Sequence, residues 1–257
     1  MVVMASVVLA AAVTAAPPVL VLERVEVALP NPDTARVTLV AQAASGLPPA
    51  GVAGQRLSLG DDVAIPLGVP VQLMADARTT CVTFEVRLRD VPEAVLELDP
   101  AAVRVRWEAL GADGRPLWAV AGTLDAADRS RLVVTGEAVG DAYARLEDVK
   151  LTPGLGSLGV RALASLYNPF AFDLVIVRLE YHLAVGSQTL LAGKRPGVRL
   201  RAGQRSDMLL EQEVALADVA GGVSAFLGGS PAQLDGAVVV RTPHGERTLP
   251  LHAHSSR

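Results

Sequence analysis

Histidine is the residue type here that is best suited to chemistry, and all four copies lie in the second half, at His182, His244, His252 and His254. His252 and His254 are two positions apart, so on a strand both imidazoles project from one face. Such a pair can hold a divalent metal ion when a third ligand arrives. No third ligand lies nearby in the sequence. We therefore expect a solvated terminal segment and no metal site.

The stretch GLGSLG, from Gly154 to Gly159, has the G-x-G-x-x-G spacing of dinucleotide-binding loops. That function requires a strand before the glycines and a long helix after them. The sequence after Gly159 allows one helix length at most before an Asn-Pro pair and a β-branched run. We therefore predict a hairpin at this position and no cofactor.

No pattern of nucleophile, base and acid appears elsewhere. The chain lacks G-x-S-x-G, and the paired carboxylates Asp61 and Asp62 lie in LGDDVAIPL, which is typical of a β-turn. A triad can still assemble from residues that are distant in sequence. We predict no catalytic, cofactor-binding or metal-binding residues, and a protein that is not an enzyme.

Two other features have both a structural and a functional interpretation. Trp107 and Trp118 flank a predicted hairpin, where indole rings either pack across strands or form an exposed platform for sugars. Cys81 is the single cysteine, so it forms no intramolecular disulfide, and its alternating context predicts a small buried apolar residue.

The composition excludes two classes of protein. The chain is 51% hydrophobic and 19% charged, which is typical of a folded globular protein and not of a disordered one. The net charge is −4, and no basic stripe of the kind that binds nucleic acid is present. We expect no nucleic-acid partner.

Short alternating runs such as CVTFEVRL and AVRVRWEAL dominate the chain after residue 22 and predict strands with one buried face. The runs also repeat. The segment from Val25 resembles that from Val149, Val71–Val91 resembles Val198–Val219, and VRVRWEALGADGRPLWAV resembles VVVRTPHGERTLPLHA. This order predicts an internal duplication.

The resulting fold prediction is all-β, with two tandem immunoglobulin-like or fibronectin-III-like antiparallel β-sandwiches. Each unit is expected to contain one short helix, with Asp90 or Asp218 as its N-cap. The predicted divisions are a leader or anchor (1–18), a first sandwich (19–124), a linker (125–146) with room for one extra strand, and a second sandwich (147–254).

The N-terminal segment carries no charge before Glu23 and contains an apolar run that ends in small residues. It fits a secretory signal peptide, although no basic residue precedes the apolar run. We expect a periplasmic or secreted protein, with a membrane anchor as the alternative if the segment is retained.

The stretch LASLYNPFAFDLVIVRLEYHLAVG resembles the late embryogenesis abundant type 2 family, also called the water stress and hypersensitive response (WHy) domain. The matching positions are Asn168-Pro169, Leu179–Leu183, Gly186, Gly193 and Val198–Gly203. The resemblance covers most of the second unit. In the first unit, AASGLPPAG stands where the second has Asn168-Pro169, which indicates a diverged copy.

The resemblance implies a non-enzymatic protein, without known catalytic residues, that protects other macromolecules during desiccation by binding or shielding them. An envelope structural or adhesion module with an unknown partner is the alternative, and a carbohydrate-binding module is a further one. Proline after Asn168 favours an extended backbone and a strand end. We therefore interpret Asn168 as an architectural residue whose loss costs roughly 1 kcal/mol, the order of one hydrogen bond.

Overall fold

The computed structural model of the chain describes residues 17–42, 52–67, 72–75, 79–125, 128, 130–135 and 143–255. Strands make up most of this part, so the all-β prediction is confirmed. Residues 1–16, which hold most of the predicted leader, lie outside the described residues. No helix in the described ranges is long and apolar enough to cross a membrane.

The described residues of the first half form one nine-stranded sheet. Its strands are β1 (Val19–Asn31), β2 (Thr34–Gln42), β3 (Gly54–Leu59), β4 (Val63–Ile65), β5 (Gln72–Ala75), β6 (Thr79–Arg87), β7 (Val103–Leu110), β8 (Pro116–Leu124) and β9 (Leu132–Thr135). The order is β4-β3-β7-β8-β1-β2-β6-β5, and β9 pairs with β1. The strand β9 falls within the segment 125–146, for which the sequence predicts room for one strand.

Strand β1 connects the two parts of this sheet. Its residues 19–21 pair in parallel with β8, and its later residues pair antiparallel with β2 after a register shift beyond Leu22. One buried cluster joins Trp107 on β7 and Trp118 on β8 with Leu39 on β2 and Phe84 on β6. The sheet therefore folds over a single core.

The second half forms two sheets. Its elements are β10 (Ala144–Pro153), β11 (Ser157–Tyr167), β12 (Leu174–Val185), β13 (Gln188–Leu200), β14 (Arg205–Ala215), α1 (Leu216–Leu227), β15 (Ala232–Thr242) and β16 (Gly245–His254). One sheet has the order β10-β11-β14 and the other β13-β12-β15-β16. A second buried cluster, which includes Leu146, Leu179, Leu210 and Leu234, draws residues from both sheets.

The predicted repeat is visible in the strand pairing. The order β1-β2-β6 in the first half corresponds to β10-β11-β14, and β4-β3-β7-β8 corresponds to β13-β12-β15-β16. The first match falls on β1-β2 and β10-β11, and the third falls on β7-β8 and β15-β16. The second match falls on β6 and β14, but it begins on β5 in the first half and on the end of β13 in the second, and these two strands hold different places. The first half adds β5 and β9 at its margins.

The predicted helices differ between the halves. Among its described residues the first half has two short 3-10 segments, Leu88–Asp90 and Glu93–Glu97. The prediction of a helix that begins after Asp90 as its N-cap is therefore wrong. Pro92 lacks an N–H group, and the five residues after it are too few for a stable α-helix. Helix α1 is present in the second half, but its N-cap is Ala215, and Asp218 lies within the first turn.

Tyr181 lies between two glycines on neighbouring strands, and one of them, Gly193, is among the positions that resemble the WHy domain. Tyr181 on β12 pairs with Gly193 on β13 and with Gly236 on β15. A Cβ at Gly193 would lie 2.8 Å from the Tyr181 hydroxyl, and a Cβ at Gly236 would lie 2.0 Å from the Glu180 carbonyl oxygen. Gly236 therefore needs glycine, because backbone atoms of β12 block a Cβ there, whereas a Cβ at Gly193 would meet only the end of the Tyr181 side chain.

Candidate functional site

The histidines do not assemble a metal centre. His182, Asp235 and His252 occupy neighbouring positions on β12, β15 and β16. His252 Nδ1 lies 2.5 Å from Asp235 Oδ1, and His182 Nε2 lies 3.7 Å from Asp235 Oδ2. Within the described residues, no three His, Cys, Asp or Glu side chains have a geometry that could hold a metal ion. Asp235 instead bridges two exposed imidazoles on one sheet face.

The glycine-rich stretch is the turn of the β10–β11 hairpin, as predicted. The Gly154 N–H donates to the Ser157 carbonyl oxygen, and Gly156 has φ +81°, a conformation that favours glycine. Strand β11 follows directly, where a phosphate-binding loop would need a helix.

The two tryptophans are packed in the core. Trp107 and Trp118 are 1% and 3% exposed, and their rings meet edge to face with centroids 4.9 Å apart. The Trp107 indole N–H donates to Gln55 Oε1 at 3.0 Å. The packing interpretation is therefore confirmed, and these rings do not form a platform for sugars.

Asp61 and Asp62 lie in the β3–β4 turn, as predicted, and Asp61 forms an ion pair with Arg104. The expectation for Cys81 is wrong, because its side chain is only partly buried. The neighbours Val82 and Phe84 are fully buried, so the alternation on β6 places Cys81 on the opposite face.

Asn168 is a buried residue whose hydrogen bonds hold the loop between β11 and β12 in place. Its side chain is fully buried, and its Nδ2 donates to the carbonyl oxygens of Phe172 (2.8 Å) and Leu200 (3.2 Å). Its Oδ1 accepts from the Phe170 N–H at 3.1 Å, and its own N–H donates to the Gln204 carbonyl oxygen. This residue therefore joins the start of one loop to the end of β13.

Asp173 fixes the other end of the same loop. Its carboxylate accepts hydrogen bonds from the Ala202 N–H at 2.9 Å and from Arg199 Nε at 2.7 Å. The Ala202 bond and then the Arg199 contacts hold the pKa of Asp173 below its ordinary value, with burial opposing them. The loop is thus tied at Asn168 and at Asp173, and it presents Pro169 and Phe170 between them.

This loop forms one wall of an apolar cleft of ≈310 Å³. The cleft lies at one end of the space between the two sheets of the second half, and it reaches residues of the first half. Its described lining residues are Leu29, Leu88, Tyr143, Ala144, Leu166, Tyr167, Pro169, Phe170, Leu174, Ile176, Leu200, Val238, Val240, Leu249, Pro250, Leu251 and His252. All but two tyrosines and one histidine are apolar, and none of them carries a carboxylate, ammonium or guanidinium group.

Leu249 marks the open side of the cleft. It lies two residues before Leu251 on β16, so both side chains project from the same face of the strand. Leu251 is 3% exposed and belongs to the core, whereas Leu249 is 51% exposed. The inner face of the sheet is therefore left uncovered at this end by the described residues.

Tyrosines lie where the cleft meets the first half. The Tyr167 hydroxyl donates to Asp33 Oδ1 at 2.6 Å, and the Arg205 guanidinium lies 5.4 Å from the Tyr167 ring centroid. The Tyr143 hydroxyl is buried and has no hydrogen-bond partner among the described residues. Burial, followed by the nearby Asp33 carboxylate and Tyr167, raises the pKa of Tyr143 to about 12.

Sequence reasoning identifies Asn168-Pro169 but not the cleft. The cleft combines Leu29 and Leu88 with residues more than 50 positions further along the chain, and each of them looks like an ordinary apolar strand or loop residue. No motif marks such a place.

No protein-family model matches the chain, and no curated protein matches it. Among solved structures, a protein from Archaeoglobus fulgidus is 14% identical, with a TM-score of 0.30 and coverage of 43% of this chain and 94% of that protein. An Arabidopsis thaliana protein determined in solution is 17% identical, with a TM-score of 0.38 and coverage of 48% and 86%.

A third solved structure, of a candidate late embryogenesis abundant (LEA) protein, is 20% identical. Its TM-score is 0.32, and the match covers 44% of this chain and 67% of that protein. The chain thus has weak structural similarity to proteins of the late embryogenesis abundant kind. None of these TM-scores reaches 0.5, and the fold described above rests on its own strand order.

Proposed function

We propose that this chain is a non-enzymatic stress-protection protein of the late embryogenesis abundant type 2 (WHy) family that binds apolar groups of other macromolecules. In this proposal it consists of two tandem sandwiches of the immunoglobulin or fibronectin-III type, 19–124 and 147–254. The repeated strand order and the Asn168-Pro169 loop in the second unit support that division.

The apolar cleft is the observation that carries the proposal. Burial of apolar surface stabilises a complex by about 25 cal/mol per Å², without any need for precise polar geometry. A lining free of charged side chains among its described residues suits weak contact with many apolar groups. Such contacts would keep partly unfolded neighbours apart as water is withdrawn.

Export to the periplasm or medium is part of the proposal. The uncharged N-terminal segment, with small residues before Pro17-Pro18, supports a cleaved secretory signal. Sequencing the N-terminus of the mature protein tests this directly. A start near residue 17 would support export, and a retained Met1 would contradict cleavage.

The protective role is tested by drying or freeze-thawing a labile enzyme with the purified protein or with an unrelated sandwich of equal mass. We expect greater recovery of enzyme activity with this protein. Leu249→Lys places a charge at the cleft and should abolish the advantage. Val175→Lys is the matched control, because Val175 is 49% exposed on the same sheet but does not line the cleft.

Equal recovery with this protein and with the unrelated sandwich would refute protection. Equal protection by both lysine variants would remove the cleft from the proposed mechanism. Capture of one stoichiometric partner from an envelope extract, without protection, would instead favour a structural or adhesion module.

A further inference from the structure

The cleft is an unfilled part of an otherwise packed interior. Protein cores are packed as densely as organic crystals, and voids larger than a water molecule are few. The core around it is complete, with Ile176 and Leu166 at 1% and 5% exposure. A space of ≈310 Å³ lined by such residues lies at the lower end of the range for small-molecule sites. An apolar lining of this kind favours apolar guests, because their contact removes apolar surface from water.

The lining favours a hydrocarbon group, whether an aliphatic chain or an apolar side chain, over a peptide backbone. A peptide brings an N–H and a carbonyl group with every residue, and each one costs free energy if it is buried without a partner. The backbones of β11, β12 and β15 are already paired on both sides, and the edge strands β13 and β16 are paired on one side. Of the described side chains in the lining, only Tyr143, Tyr167 and His252 carry polar atoms. An aliphatic chain needs no such partners.

The volume sets the length of that chain. A space of ≈310 Å³ holds roughly ten units of the size of a water molecule, at about 30 Å³ each. A methylene group is of similar size. The cleft therefore has room for about ten carbons of a single aliphatic chain.

The polar end of the cleft selects the head group. The buried Tyr143 hydroxyl has no partner within the described part of the chain, so it can donate a hydrogen bond to a ligand. The Asp33 carboxylate accepts a hydrogen bond from the Tyr167 hydroxyl at 2.6 Å, and its charge acts on Tyr143. A negatively charged head would be repelled by Asp33, whereas an uncharged acceptor would not.

We infer that the cleft is a binding site for one unbranched aliphatic chain of about ten carbons with an uncharged, hydrogen-bond-accepting head group, such as an alkyl ester. Tyr143 donates to the head, and Leu249 covers the chain near the opening. This inference goes beyond the protective function and does not depend on it.

Calorimetric titration of the full chain with methyl esters of six to twelve acyl carbons tests the inference. Each added methylene should tighten binding about fourfold until about ten carbons, after which affinity should level off. The stoichiometry should be one to one. Absence of binding, or affinity that keeps rising with length at a stoichiometry above one, would overturn the proposed site.

The head group is tested with decanoate and methyl decanoate at neutral pH. The ester should bind at least tenfold more tightly than the carboxylate, and equal affinities would refute the assignment of the head. Tyr143→Phe should weaken binding of the ester about fivefold, the order of one hydrogen bond. It should leave binding of octane, measured by headspace partitioning, unchanged. An equal loss for octane would show that Tyr143 acts only by shape.

Two substitutions test the position of the chain. Ala144→Leu adds three carbons to the lining, so the ester series should level off about three carbons earlier. Leu249→Lys should weaken binding of every ester, and Val175→Lys should weaken none. If esters bind but the protein gives no protection during drying, the protective function fails and this inference stands. Protection without ester binding would refute this inference and leave the protective function standing.

Discussion

Asn168→Ala should be among the most destabilising single substitutions in the loop regions of the second half. The side chain makes three hydrogen bonds, to the Phe170 N–H and to the carbonyl oxygens of Phe172 and Leu200, at 2.8 to 3.2 Å. It is fully buried, so water cannot easily replace it. The alanine variant leaves all three backbone groups without their partner.

The expected cost is larger than that of one exposed hydrogen bond. Each bond contributes about 1 kcal/mol net, and a buried group left unsatisfied costs about 1 to 3 kcal/mol. Three bonds in a fully buried site therefore predict a loss of about 3 to 5 kcal/mol in the free energy of unfolding. Single domains are stable by only about 5 to 15 kcal/mol, so the variant should fold but unfold early.

Urea unfolding measures this cost with two signals. Both tryptophans, Trp107 and Trp118, lie in the first half, so their fluorescence reports on its core. Far-UV circular dichroism reports on the strands of both halves. We expect Asn168→Ala to lower the midpoint of the circular dichroism transition more than that of the fluorescence transition.

Asn31→Ala is the matched control, because Asn31 also precedes a proline. Its Oδ1 accepts one hydrogen bond, from the Asp33 N–H at 2.9 Å, in an exposed turn. Its loss should cost about 0.5 to 1 kcal/mol. The reasoning fails if Asn168→Ala and Asn31→Ala have the same effect, since burial and the number of bonds would then be irrelevant.

Three further predictions concern the cores and the cleft. Trp107→Ala should lower the free energy of unfolding by about 3 to 5 kcal/mol in a urea titration, while glycan arrays should show no retention with or without the substitution. Gly236→Ala should lower the free energy of unfolding, measured by thermal unfolding, by about 3 kcal/mol, because the added Cβ would lie 2.0 Å from the Glu180 carbonyl oxygen. Gly159→Ala is the control. The nearest atom to its added Cβ would be 3.6 Å away, so its stability should hardly change. An ultraviolet titration should show a tyrosine that ionises near pH 12, and Tyr143→Phe should remove that step. The folded protein retains the Tyr143 proton above pH 10, so stability should fall from about pH 10 to 12, and the variant should lose less stability over that range. An unchanged alkaline titration in the variant would assign the raised pKa to another group.

Much of the fold could be predicted because the alternation of apolar and polar residues along a strand shows which of its faces is buried. In β6, Val82, Phe84 and Val86 mark the core face, and the structure buries all three. The same alternation contradicts a buried Cys81, since a residue directly before a core-facing position must project the other way. The burial of Cys81 is expected because cysteine is small and apolar. The position of Cys81 on the face of β6 that points away from the core outweighs this preference.

Other features depend on contacts that no local pattern records. The change of partner along β1, from β8 to β2, depends on pairing with strands that are distant in the sequence. The cleft is assembled from side chains of several strands and loops, and Leu249 is left half exposed at its open side. Asn168 could be predicted only in part. The Asn-Pro pair indicates the end of a strand, but only the packing around Asn168 shows how many hydrogen bonds it makes.

In each half, contacts between the first strand and the last residues affect the order in which the protein can fold during its synthesis. The first strand of the first half, β1, pairs with β9, and β10 meets Ser255 through a bridge from Leu146. Each core therefore requires contacts between residues about 110 positions apart, which makes folding slow. At a synthesis rate of ~5 to 20 residues per second, the first half would be complete on the order of ten seconds before Ser255 is added. During that interval the apolar surfaces of the unfinished second half would be exposed, so the stretch before Ser255 is where a chaperone would be needed most.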